Sequence, residues 1–362
     1  MKEKNLPHTL SFLLCLSFLS VTGQHQNKTD IEFKIPVEKS NLFVRIVGNT
    51  NKPLIIDLHG GPGAFSGFNH EFYGPYLEDD YLIAYLDQRG GGRSDVCKDT
   101  SLLTMDQFVR DLDVVVDTLR ERYNGKKINL LGASWGGTYG LLYLIAHQDK
   151  INSFACVSGK ADGIYQNLTL IEHEKQLAKK LLDNSVSSND KRRYQDILTK
   201  LEEIKASGFK KFYNDVNLLK HTFPKELGFN VYWANKTALA NAAKYASDSA
   251  IFSRAHYTKK TYDSALEKMD FVNEVFRNTE SYNHLNILDE MAVINKPVLV
   301  IQGEYDYAVG VGQAKIIYAA LKNVPATQKE LVIIPNSAHN LNLEAPDAFF
   351  GTVKSFFDKH NK

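Results

Sequence analysis

At 362 residues, with 43% hydrophobic residues and a formal net charge of +1, the chain has enough apolar material for one large domain or two smaller ones. A charge so near zero excludes a general electrostatic pull toward nucleic acid or an anionic membrane. Three cysteines exclude a disulfide-built scaffold, and no cysteine–histidine cluster has metal-ligand spacing.

The chain opens with Lys2 and Lys4, an apolar run from Leu10 to Val21, and the modest pair Thr22-Gly23. That pattern predicts a secretory signal peptide over residues 1–23, a mature chain from Gln24, and a secreted or periplasmic protein. The run is short for a transmembrane helix, so no stable membrane insertion is expected after cleavage. It also continues past Cys15, which argues against a lipid anchor there. Asn27, Asn167 and Asn235 each begin an N-x-T sequon.

Residues 31–37 alternate apolar and polar, and with 42–47 they predict a hairpin or meander. Continuous apolar runs at 53–58, 81–86, 128–131 and 153–157 predict strands buried on both faces of a parallel sheet. Helical periodicity at 105–119 (Phe108, Leu112, Val115, Leu119) and a helix at 135–146 fall between them. From about 160 to 295 the text is polar and helical, without a clear strand. The alternation returns with a strand at 297–301, a helix at 312–321, a strand at 331–334 and a helix at 345–357. The rhythm predicts a mostly parallel sheet with helices on both faces, interrupted by a helical insertion. Cys156 lies in an apolar run and reads as a buried small hydrophobe. Cys97 lies in a loop.

Gly132-Ala133-Ser134-Trp135-Gly136 joins a predicted strand to a predicted helix. Such a turn strains its central residue and projects that side chain above the carboxyl edge of the sheet. Small residues two before and two after leave the room it needs. Ser134 is therefore the candidate nucleophile, at a helix N-terminus where the Trp135 N–H faces a developing oxyanion. A serine needs a base and a group to orient that base. His339, after the strand at 331–334, is the candidate base. Asp306, after the strand at 297–301, is the candidate orienting acid, ahead of Glu304 and Asp162.

His59-Gly60-Gly61-Pro62-Gly63 follows the strand at 53–58 and can bring backbone N–H groups close to a ligand. Gly61, with Gly60 as the alternative, is the candidate second oxyanion donor. His59 reads as a loop-stabilising residue. Residues 87–94, DQRGGGRS, have neither dinucleotide nor P-loop spacing, so Asp87 and Arg89 read as structural pins.

Together HGGPG, DQRGGGRS, GASWGG, GEYD (303–306) and SAHN (337–340) resemble the proline iminopeptidase family of α/β-hydrolases, over roughly residues 31–158 and 296–360. The resemblance implies an α/β-hydrolase fold with a catalytic domain at 24–159 and 296–362 and a helical cap at 160–295. It implies a Ser134–His339–Asp306 triad and an oxyanion hole from Trp135 and the 59–63 loop. It implies no metal and no cofactor, and release of N-terminal proline or another small residue from short peptides through an acyl-enzyme. The chain departs from the family pattern at Gly91, where cysteine is common, and at Glu304, where arginine is usual. It departs again at Trp233-Ala234, since the family's acidic cap motif pairs Trp with Glu. The cap carboxylates Glu172, Glu174 and Glu274 read as solvated helix faces. The missing motif makes an esterase, lactonase or amidase for a small lipophilic substrate the alternative.

Overall fold

The computed structural model describes residues 28–209, 212–245 and 247–361. The expected signal peptide, Cys15 and the Asn27 sequon lie outside them. Strands β1 (Lys28–Val37) and β2 (Ser40–Asn49) form the expected antiparallel hairpin. They are followed by β3 (Leu54–Leu58), β4 (Leu82–Asp87), β5 (Ile128–Ala133), β6 (Ile151–Val157), β7 (Val298–Gly303) and β8 (Lys329–Ile334). The eight strands form one sheet in the order β1-β2-β4-β3-β5-β6-β7-β8. β2 joins β4 antiparallel, and every later neighbour is parallel.

The apolar runs have a direct cause: β3, β4 and β7 are buried at every residue, so apolar side chains dominate both faces, with Asp57, Asp87 and Gln302 as buried exceptions. The period of two sorts their side chains. Leu54, Ile56, Leu130 and Val300 pack with Phe108, Leu112 and Leu144 of the helices Met105–Arg122 and Trp135–His147. Ile55, Ile83, Leu131 and Leu299 point the other way, onto Phe349, Val353, Phe356 and Phe357 of the closing helix Pro346–His360. Truncating Phe356 to alanine would cost about 3–5 kcal/mol. One helix on this side, Asn69–Leu77, has little sequence signal because Gly74 and Pro75 sit inside it.

Between β6 and β7 the described residues form helices and turns, with one isolated bridge, Asp162 to Asn286. The helices Gly163–Asn184 and Ser188–Ser207 share a core of Leu170, Ile171, Leu201 and Ile204. The helix Lys259–Arg277 instead buries Val272 and Phe276 in the main core. Its start is held by a reciprocal Thr258–Thr261 capping box. Both Cys97 and Cys156 are buried free thiols.

Candidate active site

Ser134 sits between β5 and the helix Trp135–His147 with φ +57° and ψ −117°, a conformation that only surrounding constraint maintains. Its N–H donates to the Val157 carbonyl at 2.8 Å, and the Gly137 N–H donates back to the Ser134 carbonyl at 2.9 Å. The flanking glycines are sterically required. A Cβ on Gly132 would stand 2.2 Å from the Gly136 carbonyl oxygen, and one on Gly136 would stand 1.8 Å from that of Leu58.

The loop after β3 closes on the serine from the side. A Cβ on Gly60 would lie 3.3 Å from Ser134 Cβ and 3.9 Å from its Oγ, so any side chain there would crowd the serine. His59 has both ring nitrogens engaged: Nδ1 meets the Gly60 carbonyl at 2.8 Å, and Nε2 accepts from the Gln88 N–H at 3.0 Å. Burial lowers its pKa, which keeps the ring neutral and suited to that accepting role. Gln88 also donates to the His59 carbonyl and accepts from Trp135 Nε1 at 2.8 Å, tying three loops together.

The DQRGGGRS loop is pinned around them. Asp87 accepts from Ser66 and from the Arg93 N–H. Arg89 makes a buried two-pronged pair with Asp111, both contacts 2.7 Å.

Asp306 and His339 come from the loops after β7 and β8. His339 Nδ1 lies 2.8 Å from Asp306 Oδ2. Asp306 is fully buried and also accepts from Gln302 Nε2 at 2.7 Å and the Val309 N–H at 3.1 Å. Burial by itself would raise this carboxyl, but facing His339 and the Val309 N–H hold it below the usual range. An ionised carboxylate can only accept, so His339 Nδ1 is the donor in this contact.

The two competing acids are occupied elsewhere. Glu304 is exposed and accepts from the Asn336 N–H. Asp162 caps the helix Gly163–Asn184 through the Tyr165 N–H.

Ser134, His339, Trp135, Gly60 and Gly61 all line one cavity of about 940 Å³. Among the described residues no cluster of three His, Cys, Asp or Glu side chains could hold a metal ion. Much of the cavity wall comes from the insertion, where the sequence reading was least informative. Tyr232 lies beside His339, with ring centroids 5.6 Å apart and near perpendicular, and its carbonyl accepts from the His339 N–H at 3.2 Å. Glu344 bridges the same two segments, accepting from Ala338 N–H and from the N–H groups of Ala234 and Asn235. The only local hint was an aromatic pair, Tyr232-Trp233, in a polar stretch.

The three insertion carboxylates do not behave alike. Glu172 pairs with Lys175 and Lys205 on an outer face. Glu274 lines the cavity together with Asp270, which sits one helical turn earlier. Glu174, expected on a solvated face, is fully buried with no partner for either oxygen among the described residues. Its helical phase explains the burial: Leu170, Ile171, Glu174 and Ala178 share one inward stripe. Two sequons also part company, since Asn167 is buried against the cavity while Asn235 is exposed.

Residues 53–346 match the family model for the alpha/beta hydrolase fold. The chain is 26% identical over 326 residues to a proline iminopeptidase of Saccharolobus solfataricus, which covers 88% of this chain and 89% of that one. It is 25% identical over 334 residues to a probable aminopeptidase of Bacillus subtilis, covering 91% and 96%. A crystal structure of a proline iminopeptidase-related protein from Thermus thermophilus matches with a TM-score of 0.61 at 19% identity, over 92% of this chain and 98% of that one. At that identity the likeness is one of fold.

Proposed function

The chain belongs to the alpha/beta hydrolase fold family and is a hydrolase related to proline iminopeptidases, and from that premise we propose that it is a serine aminopeptidase releasing N-terminal proline or another small residue from short peptides. The observation that carries the reading is the strained Ser134 in one cavity with His339, whose Nδ1 is held 2.8 Å from buried Asp306. In this mechanism Ser134 Oγ attacks the substrate carbonyl while His339 Nε2 takes its proton. The oxyanion that forms is met by the N–H groups of Trp135 and Gly61, or Gly60 in its place, at the positive end of a helix. His339 returns the proton to the leaving amine, and water, deprotonated in turn, releases the acyl group from Ser134. Asp306 keeps the imidazole in the tautomer this exchange requires. Asp270 and Glu274 give the cavity two carboxylates able to hold a substrate's free ammonium group, which supports an aminopeptidase over an esterase.

The test compares Pro-, Ala- and N-acetyl-Pro-arylamides with a short-chain aryl ester, using Ser134→Ala as the blank. Cleavage of the free Pro-arylamide, loss of that cleavage on acetylation, and a drop of about 10⁴-fold or more in Ser134→Ala are expected. Ester cleavage alone would overturn the peptidase assignment. Export is part of the same proposal, and N-terminal sequencing of the secreted chain should begin at Gln24.

A further inference from the structure

Three cations converge on the cavity that holds Ser134 and His339. Lys160 follows β6, Lys220 lies in the π-helical turn Leu218–Thr222, and Arg277 ends the helix Lys259–Arg277. Among the described residues none of them forms an ion pair. Lys160 Nζ donates to the Tyr282 carbonyl at 3.0 Å and lies 3.8 Å from the centroid of that residue's ring. Lys220 Nζ donates to the Ala308 carbonyl at 2.8 Å. The Arg277 guanidinium has no hydrogen-bond acceptor among the described residues, although it carries the largest set of donors of any side chain.

Their positions are fixed by the fold. Thr138, on the nucleophile's helix, donates to the Lys160 carbonyl and accepts from the Lys160 N–H, both at 2.9 Å. The Lys220 contact ties it to the loop that carries Asp306.

Like charges brought together in a sheltered cavity are costly unless something of opposite sign balances them. The lysines register that cost. Burial, then Lys220, opposed by Asp162 and joined by a smaller push from Arg277, brings Lys160 down to about 7. Burial, then Arg277 against Asp306, brings Lys220 down to about 8. A cluster of donors with no carboxylate at ion-pair distance among the described residues is complementary to an anion that enters from outside.

We infer that Lys160, Lys220 and Arg277 form a carboxylate-binding subsite, and that the substrate is a di- or tripeptide whose free C-terminal carboxylate is held there. The inference rests on the serine aminopeptidase reading and narrows its substrate. The spacing agrees with it. Asp270, Glu274 and Arg277 recur at helical intervals of four and three on one cavity-facing stripe. Asp270 and Arg277 are thus offset along the axis by about 10 Å. An extended dipeptide or tripeptide spans roughly 7–10 Å between its ends, so ammonium and carboxylate can meet opposite charges at once.

The experiment measures kcat/KM for Pro-Ala, Pro-Ala-Ala and their C-terminal amides, with the wild-type protein and with Arg277→Gln and Lys220→Met. The free acids should be preferred by roughly 10- to 100-fold, and each variant should cut that preference about tenfold or more. Equal rates for acid and amide in the wild type would overturn the subsite whatever the variants do. A preference that survives in both variants would overturn its assignment to these side chains. Calorimetry of Pro-Ala and Pro-Ala amide with the Ser134→Ala protein separates this inference from the reading beneath it. Selective binding of the acid without wild-type turnover would retain the subsite and sink the peptidase. Turnover of Pro-arylamide without acid selectivity would do the reverse.

Discussion

Asp306 and Glu174 are both fully buried carboxylates, one at the edge of the sheet and one in the helical insertion, and their surroundings are opposites. Asp306 accepts hydrogen bonds from Gln302, Val309 and His339 and is held below the usual carboxylate range. Glu174 has no partner among the described residues, and burial pushes it up to about 9. The contrast extends to their neighbours. His59, Asp87, Gln88 and Arg89 fasten the loops beneath Ser134 to one another. Lys160, Lys220 and Arg277, across the cavity, have carbonyl acceptors or none. A catalytic base is useful only in one tautomer and one orientation, so its supports must be complete before substrate arrives. The subsite inferred from these three cations would gain more by leaving charge to be balanced by the ligand.

Breaking the ordered side should have the largest effect. Asp306→Asn retains the shape but places an amide donor against His339 Nδ1, which moves the imidazole proton to Nε2. Steady-state kinetics on Pro-arylamide should show kcat lower by about 10³–10⁴-fold with thermal stability little changed. A loss under tenfold would mean that this pair does not set the tautomer.

Gly60→Ala tests the same side through space alone. The added methyl would meet Ser134 Cβ at 3.3 Å, and kcat should fall by about 10²-fold as the serine or the oxyanion donors shift.

The insertion should respond more gently. Replacing Asp270 with Asn together with Glu274 with Gln should lower kcat/KM for free-amine arylamides by roughly tenfold, chiefly through KM. An unchanged KM would remove these carboxylates from substrate recognition.

The smallest effect, and one of opposite sign, is expected from Glu174→Met. With Glu174 raised to about 9, the folded chain keeps a proton that the unfolded chain releases once pH exceeds the ordinary carboxyl value. Wild-type stability should therefore fall as pH rises from about 4.5 toward 9, and the methionine variant should lack that slope. Melting temperature should rise by a few degrees in the variant, and by more at pH 8 than at pH 5. An equal gain at both values would show that Glu174 is not protonated in the fold.

Some of this was legible residue by residue. The strands β3–β7 announce themselves as largely apolar runs because a sheet covered on both faces buries nearly every position and admits few polar residues, such as Asp57 and Asn129. The elbow at Ser134 is equally plain, since its glycines answer contacts within a few residues and at one neighbouring strand. The helix Asn69–Leu77 was hidden by Gly74 and Pro75, and its formation depends on Tyr73 and Leu77 finding the closing helix's apolar layer.

The sequence by itself determined the alternating parallel sheet, the strand-to-helix turn at Ser134, and the late loops that carry Asp306 and His339. Those features follow from local sterics and from a period of two or of 3.6. Only the tertiary structure decided between Asp306, Glu304 and Asp162 as the partner of His339, buried Glu174, set Tyr232 beside His339, and gathered Lys160, Lys220 and Arg277 around one cavity. The physical reason is that a charged residue's local sequence reads the same on a solvated helix face, in a core, or against a substrate. Its meaning is set by what the fold brings opposite it, from segments as distant in the chain as residues 160 and 277.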